Sequence, residues 1–90
     1  MTDPMEAFRA RFRERCGVDL AALEKLMNDG VRSGDELRRI AHGLSGSGGT
    51  FGFPGVSDAA AAVDDALIDR RPATDAELEG LVAALRDVVG

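Results

Sequence analysis

Between Leu37 and Phe51 the core-facing positions recur at steps of one, three and four residues: Leu37, Ile40, Ala41, Leu44, Gly48 and Phe51. At about 100° per residue they fall in one arc, the signature of a helix with a single buried face. The same period runs through glycines at 43, 46, 48 and 49. A glycine inside a helix costs about 0.8–1 kcal/mol relative to alanine, so four of them weaken this helix by roughly 3–4 kcal/mol. For a chain of 90 residues that is a large fraction of the total stability. Glycines kept at such a cost point to a surface where side chains would be in the way. The competing reading is a glycine-rich loop with His42 at a helix end. It leaves the continuation of the apolar period to Phe51 unexplained.

His42 is the only histidine. It falls roughly 160° from the centre of the apolar arc and therefore points away from the core. Arg38, Ser45, Gly46 and Gly49 share its side of the helix, with Arg39 at the margin. Gly46 and Gly49, one and two turns beyond the ring, let the backbone of another protein come close to it.

Composition narrows the rest. The length suits one domain over residues 1–90, with a core dominated by Ala, Leu and Val and only four aromatics, Phe8, Phe12, Phe51 and Phe53. A net charge of −5 argues against nucleic acid and against an anionic membrane surface, both of which need clustered positive charge. Cys16 is the single cysteine, so no intramolecular disulfide forms. It lies on an apolar helix side and reads as a small buried hydrophobe. No apolar run approaches the ~20 residues of a membrane span, and the N-terminus lacks a signal-peptide core. A cytoplasmic protein is expected.

Five helices are predicted. The first runs from about Pro4 to Cys16, with Asp3 as N-cap and Gly17 as stop. The second runs from about Asp19 to Asp29, with Asp19 as cap, Leu20, Leu23, Leu26 and Met27 inward, and Gly30 ending it. The third starts near Asp35 and carries His42. The segment Gly52-Phe53-Pro54-Gly55 redirects the chain. The fourth starts between Pro54 and Ser57 and runs to about Asp69, with Val56, Ala60, Val63 and Leu67 inward, and Arg70-Arg71-Pro72 ends it. Thr74-Asp-Ala-Glu77 reads as a capping box opening the last helix, which runs to about Val89. No segment offers a sustained strand pattern. The expectation is an all-α fold: an antiparallel up-and-down four-helix bundle with the extra N-terminal helix packed across one end.

With these residues in place, the stretch Ala41-His42-Gly-Leu44-Ser-Gly46-Ser-Gly-Gly-Thr-Phe51-Gly52-Phe53 resembles the motif of histidine phosphotransfer (HPt) domains. His42, Leu44, Gly46, Ser47, Gly48, Phe51 and Gly52 stand at the expected offsets. Gly49-Thr-Phe-Gly-Phe53 is similar to the version found in chemotaxis kinases. The resemblance covers the third and fourth helices, and the remainder is compatible as a helical pattern. One position departs: the family's lysine, three residues after the histidine, is Ser45 here. The resemblance implies that this lysine offsets phosphoryl charge. Ser45 offers a hydrogen bond without charge, and either Arg38 or Arg39 can supply the cation.

The resemblance further implies that His42 accepts a phosphoryl group on Nε2 from a phospho-aspartyl receiver domain, or from a hybrid histidine kinase, and passes it to a response regulator. A neutral imidazole is a competent nucleophile for this. The partner would bring the aspartate and Mg²⁺, and the chain itself would need no cofactor. Without an ATP-binding domain it is expected to be a phosphocarrier and not an enzyme. By the same resemblance a monomer is expected, although dimeric variants exist in the family.

Other chemistries fit less well. One His and one Cys are too few for a zinc site. A Ser45–His42 hydrolase lacks a third member. The glycines imitate a dinucleotide fingerprint, but the third comes one position late and no strand precedes them. There is no Walker lysine. Two non-catalytic readings stand beside the relay: a helical module that docks a receiver or kinase without being phosphorylated, and an unrelated helical adaptor on which His42 is simply exposed.

Overall fold

The computed structural model describes residues 3–90, so Met1 and Thr2 of the expected 1–90 domain lie outside the described residues. Four helices account for nearly all of it: α1 (Glu6–Asn28), α2 (Asp35–Thr50), α3 (Pro54–Ile68) and α4 (Asp75–Val89), with no strand among the described residues. Each helix packs against two others, α1 on α2 and α4, and α3 on α2 and α4, around one core. Leu23, Leu37, Ile40, Leu44, Leu78, Leu81 and Leu85 fill that core, with Val56 and Val63 between them.

The extra N-terminal helix does not exist as a separate element. Residues expected as two helices form α1, a single helix of 23 residues. Gly17 does not stop it, and Asp19 is not a cap but a buried residue in its middle. The reason lies in packing. Phe12, Cys16, Leu20 and Leu23 continue at steps of four, four and three, so the two apolar arcs are one arc in register. Burying that continuous stripe outweighs the roughly 1 kcal/mol that one mid-helix glycine costs. Asp3 is not the N-cap either, since it lies two residues before it. Met5 occupies the N-cap position, while the Asp3 carboxylate accepts from the Met5 N–H at 2.9 Å and pairs with Arg9 at 2.8 Å.

The helix ends follow local chemistry. Gly30 (φ 76°) and Gly52 (φ 85°) take the left-handed position after α1 and α2. There the next N–H reaches back to Leu26 and Gly48 respectively, closing Schellman motifs. After α3 the same position is held by Arg70 at φ 60°, and Arg71 N–H bonds the Ala66 carbonyl. The capping box at α4 is formed. Thr74 Oγ1 accepts from Glu77 N–H at 3.1 Å, and Glu77 Oε1 accepts from Thr74 N–H at 2.9 Å. The Arg71 guanidinium, donating twice to Glu77, holds that carboxyl down at about 2.

Gly48 decides how closely α2 and α3 approach. A Cβ there would lie 2.9 Å from Ser57 N and 3.1 Å from Phe53 O, which are backbone atoms that cannot move aside cheaply. Around Gly46 a Cβ would meet nothing within 4 Å. The two glycines of one helix therefore respond oppositely to the same substitution. Gly46→Ala raises stability by about 0.8–1 kcal/mol through helix propensity. Gly48→Ala lowers it despite that gain, because α3 must shift. Urea denaturation of both variants checks the pair of signs.

Candidate functional site

His42 stands in the middle of α2 with its side chain 72% exposed. The residues behind it, Ile40, Ala41 and Leu44, are fully buried, so the helix is anchored while the ring faces outward. Its Nδ1 is 3.0 Å from Oδ2 of Asp64, on α3. An ionised carboxylate can only accept, so Nδ1 carries the hydrogen and donates. Nε2 then keeps its lone pair, on an exposed ring. The fixed tautomer follows from the partner and not from the ring itself.

Asp64 escapes a reading of the sequence by apolar period. It is 6% exposed, one of two buried charged residues among those described. It stands four residues after Ala60 and next to Val63, on the inward side of an alanine-rich helix. A carboxylate in an otherwise apolar arc was the available signal. Its Oδ2 is taken by His42, whereas Oδ1 is buried with no hydrogen-bond partner. Arg38 Nε lies 4.0 Å from Oδ1, close enough for charge compensation.

The other expected residues divide by neighbourhood. Arg38, Arg39 and His42 line one shallow recess of about 240 Å³ together with Asp35. Both arginines therefore stand beside the ring. Arg38 leans toward Asp64, while Arg39 makes no ion pair among the described residues. The Ser45 hydroxyl donates to the His42 carbonyl at 2.9 Å, occupied by its own helix and not presented to the recess. The Ser45 carbonyl accepts from Ser57 Oγ at 2.6 Å, a second tie between α2 and α3. Gly46 and Gly49 are both exposed on the face of His42.

Burial pushes the Cys16 thiol up to about 11, with the nearby Asp19 charge adding to it, so it stays protonated and unreactive. The described residues contain no cluster of three or more His, Cys, Asp or Glu able to hold a metal ion.

A comparison with known protein families matches residues 7–89 to the Hpt domain. The chain belongs to the Hpt domain family. No curated protein and no solved structure matches it. Hpt domains are phosphocarrier modules that serve histidine phosphotransfer in two-component signalling, where they interact with receiver domains and kinases. Among the described residues of this Hpt domain, no helix is long and apolar enough to cross a membrane.

The His42–Asp64 contact makes a direct prediction for this Hpt domain. In the wild-type protein the ¹⁵N shifts of His42 report the Nδ1–H tautomer as the dominant neutral form. In Asp64→Ala that preference is lost, while Leu-rich core signals remain in place. Unchanged ring shifts in the variant would show that the carboxylate does not set the tautomer.

Proposed function

We propose that this chain is a phosphorelay intermediate. His42 accepts a phosphoryl group from a phospho-aspartyl receiver domain, or from a hybrid histidine kinase, and hands it to a response regulator. The observation that carries the reading is the exposed ring whose Nδ1 is held by a buried carboxylate, leaving Nε2 as nucleophile. In the transfer the Nε2–P bond forms as the P–O bond to the partner aspartate breaks. That aspartate leaves with the bonding electron pair. No proton need leave Nε2, because the ring hydrogen is on Nδ1. Transfer to the next aspartate is the reverse of this step.

Phosphoryl transfer depends on in-line placement and on charge stabilisation. Mg²⁺ and the acceptor or donor aspartate belong to the partner. On this chain Arg38 and Arg39, in the recess shared with His42, take the role of the lysine that Ser45 replaces. Gly46 and Gly49 leave the face beside the ring bare for a docking receiver. An up-and-down course of the four helices, which the short connections between them favour, presents this face along the flank of the bundle and not at its end. One observation favours the rival reading, a docking module never phosphorylated. The Ser45 side chain is uncharged and bonded to its own helix.

The deciding experiment is incubation with a ³²P-labelled receiver domain and Mg²⁺. Label moves to the wild type and not to His42→Gln. Binding without label on the wild type would instead establish the docking module. With the phosphorylated wild type in hand, Arg38→Ala and Arg39→Ala each shorten its half-life severalfold. Unchanged lifetimes for both would remove the arginines from the phosphoryl site.

A further inference from the structure

The α1 side of His42 carries a feature that the phosphoryl chemistry does not use. Arg15 reaches from α1 across to α2. Its Nη1 donates to Ser47 Oγ at 3.3 Å, and its Nη2 lies against Gly43, where even a Cβ would collide with it. Gly43 is the residue next to His42 in the chain, and Ser47 is one helical turn further along the same edge. The guanidinium is held in place from behind. Arg15 Nε donates to Asp19 Oδ2 at 3.3 Å, and the Asp19 side chain is only 11% exposed. Between the guanidinium and the ring, Gly46 exposes bare backbone with nothing near it.

We infer that Arg15 is a specificity-determining residue for the phosphoryl exchange, contacting a carboxylate on the receiver domain beside its phosphorylated aspartate. The inference rests on the relay reading of His42. Three arguments carry it. First, a long flexible side chain normally samples many rotamers. This one is fixed by a buried anion, a hydroxyl and a glycine that makes room, so its cation is pre-organised at small entropic cost on binding. Second, the chain as a whole carries −5, yet the fixed Arg15 cation against Gly43 and the Arg38 and Arg39 cations in the recess of His42 give α2 positive charge on both sides of the ring, a local reversal that an acidic partner can find. Third, the helix geometry separates the two jobs. Gly43 and Ser47 lie on the edge of α2 facing α1, whereas Asp64 and Arg38 approach His42 from the α3 side. Arg15 therefore meets what surrounds the phosphoryl donor, while the α3 side handles the ring.

The plain alternative is that Arg15 only neutralises Asp19. A double variant separates the two, because Arg15→Gln with Asp19→Asn removes both charges and leaves the net charge unchanged. No buried carboxylate is left unpaired, and circular dichroism and thermal melting verify the fold. Phosphorylation is followed from two donors: phosphoramidate, which has no docking surface, and a receiver domain charged with acetyl phosphate. The ratio of the receiver rate to the phosphoramidate rate falls about fivefold at low salt, carried by KM, and the deficit shrinks as salt rises. A ratio within twofold of wild type, or a deficit that does not respond to salt, would leave Arg15 as a structural counter-ion. Wild-type protein that takes label from phosphoramidate and from no receiver would overturn the relay reading, and this inference with it.

Discussion

The backbone approach of α2 to α3 at Gly48 governs the site six residues away. With no side chain at Gly48, the helix can settle against the first turn of α3, and Ser57 can donate to the Ser45 carbonyl. Those contacts fix the register of two helices whose successive contacts run in opposite directions, Gly48 and Ser45 against Ser57, then His42 and Arg38 against Asp64. From Ser57 to Asp64 is seven residues, close to two turns of helix, so both face α2. A shift of α3 by one residue would rotate Asp64 by about 100° and remove the acceptor from Nδ1. The glycine that looks like a weakness in helix propensity is thus what aims the imidazole.

Only two charged side chains are buried among the described residues, Asp19 on α1 and Asp64 on α3. These helices flank α2 on either side, and each carboxylate holds a functional group at its face: Asp64 the ring of His42, Asp19 the guanidinium of Arg15. A buried carboxylate is tolerated only where it is paired or hydrogen-bonded. Each partner here is a group at the surface, so the cost of burial is converted into orientation of an exposed side chain. Such pairs add little to stability, but they restrict where a flexible cation or ring can point. The Asp64 arrangement is the less complete of the two, with Oδ1 lacking a hydrogen bond and Arg38 at 4.0 Å.

What the sequence revealed and what it hid divide along a physical line. Features set within one helix were legible. The α2 period placed His42 outward, Thr74 and Glu77 formed the expected capping box, and Gly30 and Gly52 closed their helices. Features set between helices were not. Gly17 reads as a stop because propensity counts only its own cost, and the continuous stripe from Phe12 to Leu23 that overrides it appears only when the two arcs are superimposed. Asp19, at the start of an expected helix, has the composition of a cap, and only the continuity of α1 turns it inward. Asp64 and Arg15 depend on the register of α3 and α1 against α2, which periodicity does not encode.

On the proposed relay reading, the exchange of the family lysine for Ser45 moves positive charge along α2 and does not simply delete it. The two cations in the recess now stand three and four residues before His42, toward the helix N-terminus. That is the end where the peptide dipoles disfavour cations. Arg38 occupies the fourth position of α2, within reach of that unfavourable field, and a helix optimised for stability would place an acid or a neutral residue there. Two features offset the placement: Asp35 and Glu36 in the first turn, and the Asp64 carboxylate arriving from α3. Retaining an arginine where the helix resists it, and supplying an acid from a neighbouring helix to hold it, is intelligible if the cation is wanted beside the ring. On that reading, the acid that orients the His42 ring also steadies the Arg38 charge that would meet an incoming phosphoryl group, so both depend on one side chain of α3 and on the glycine that sets its register.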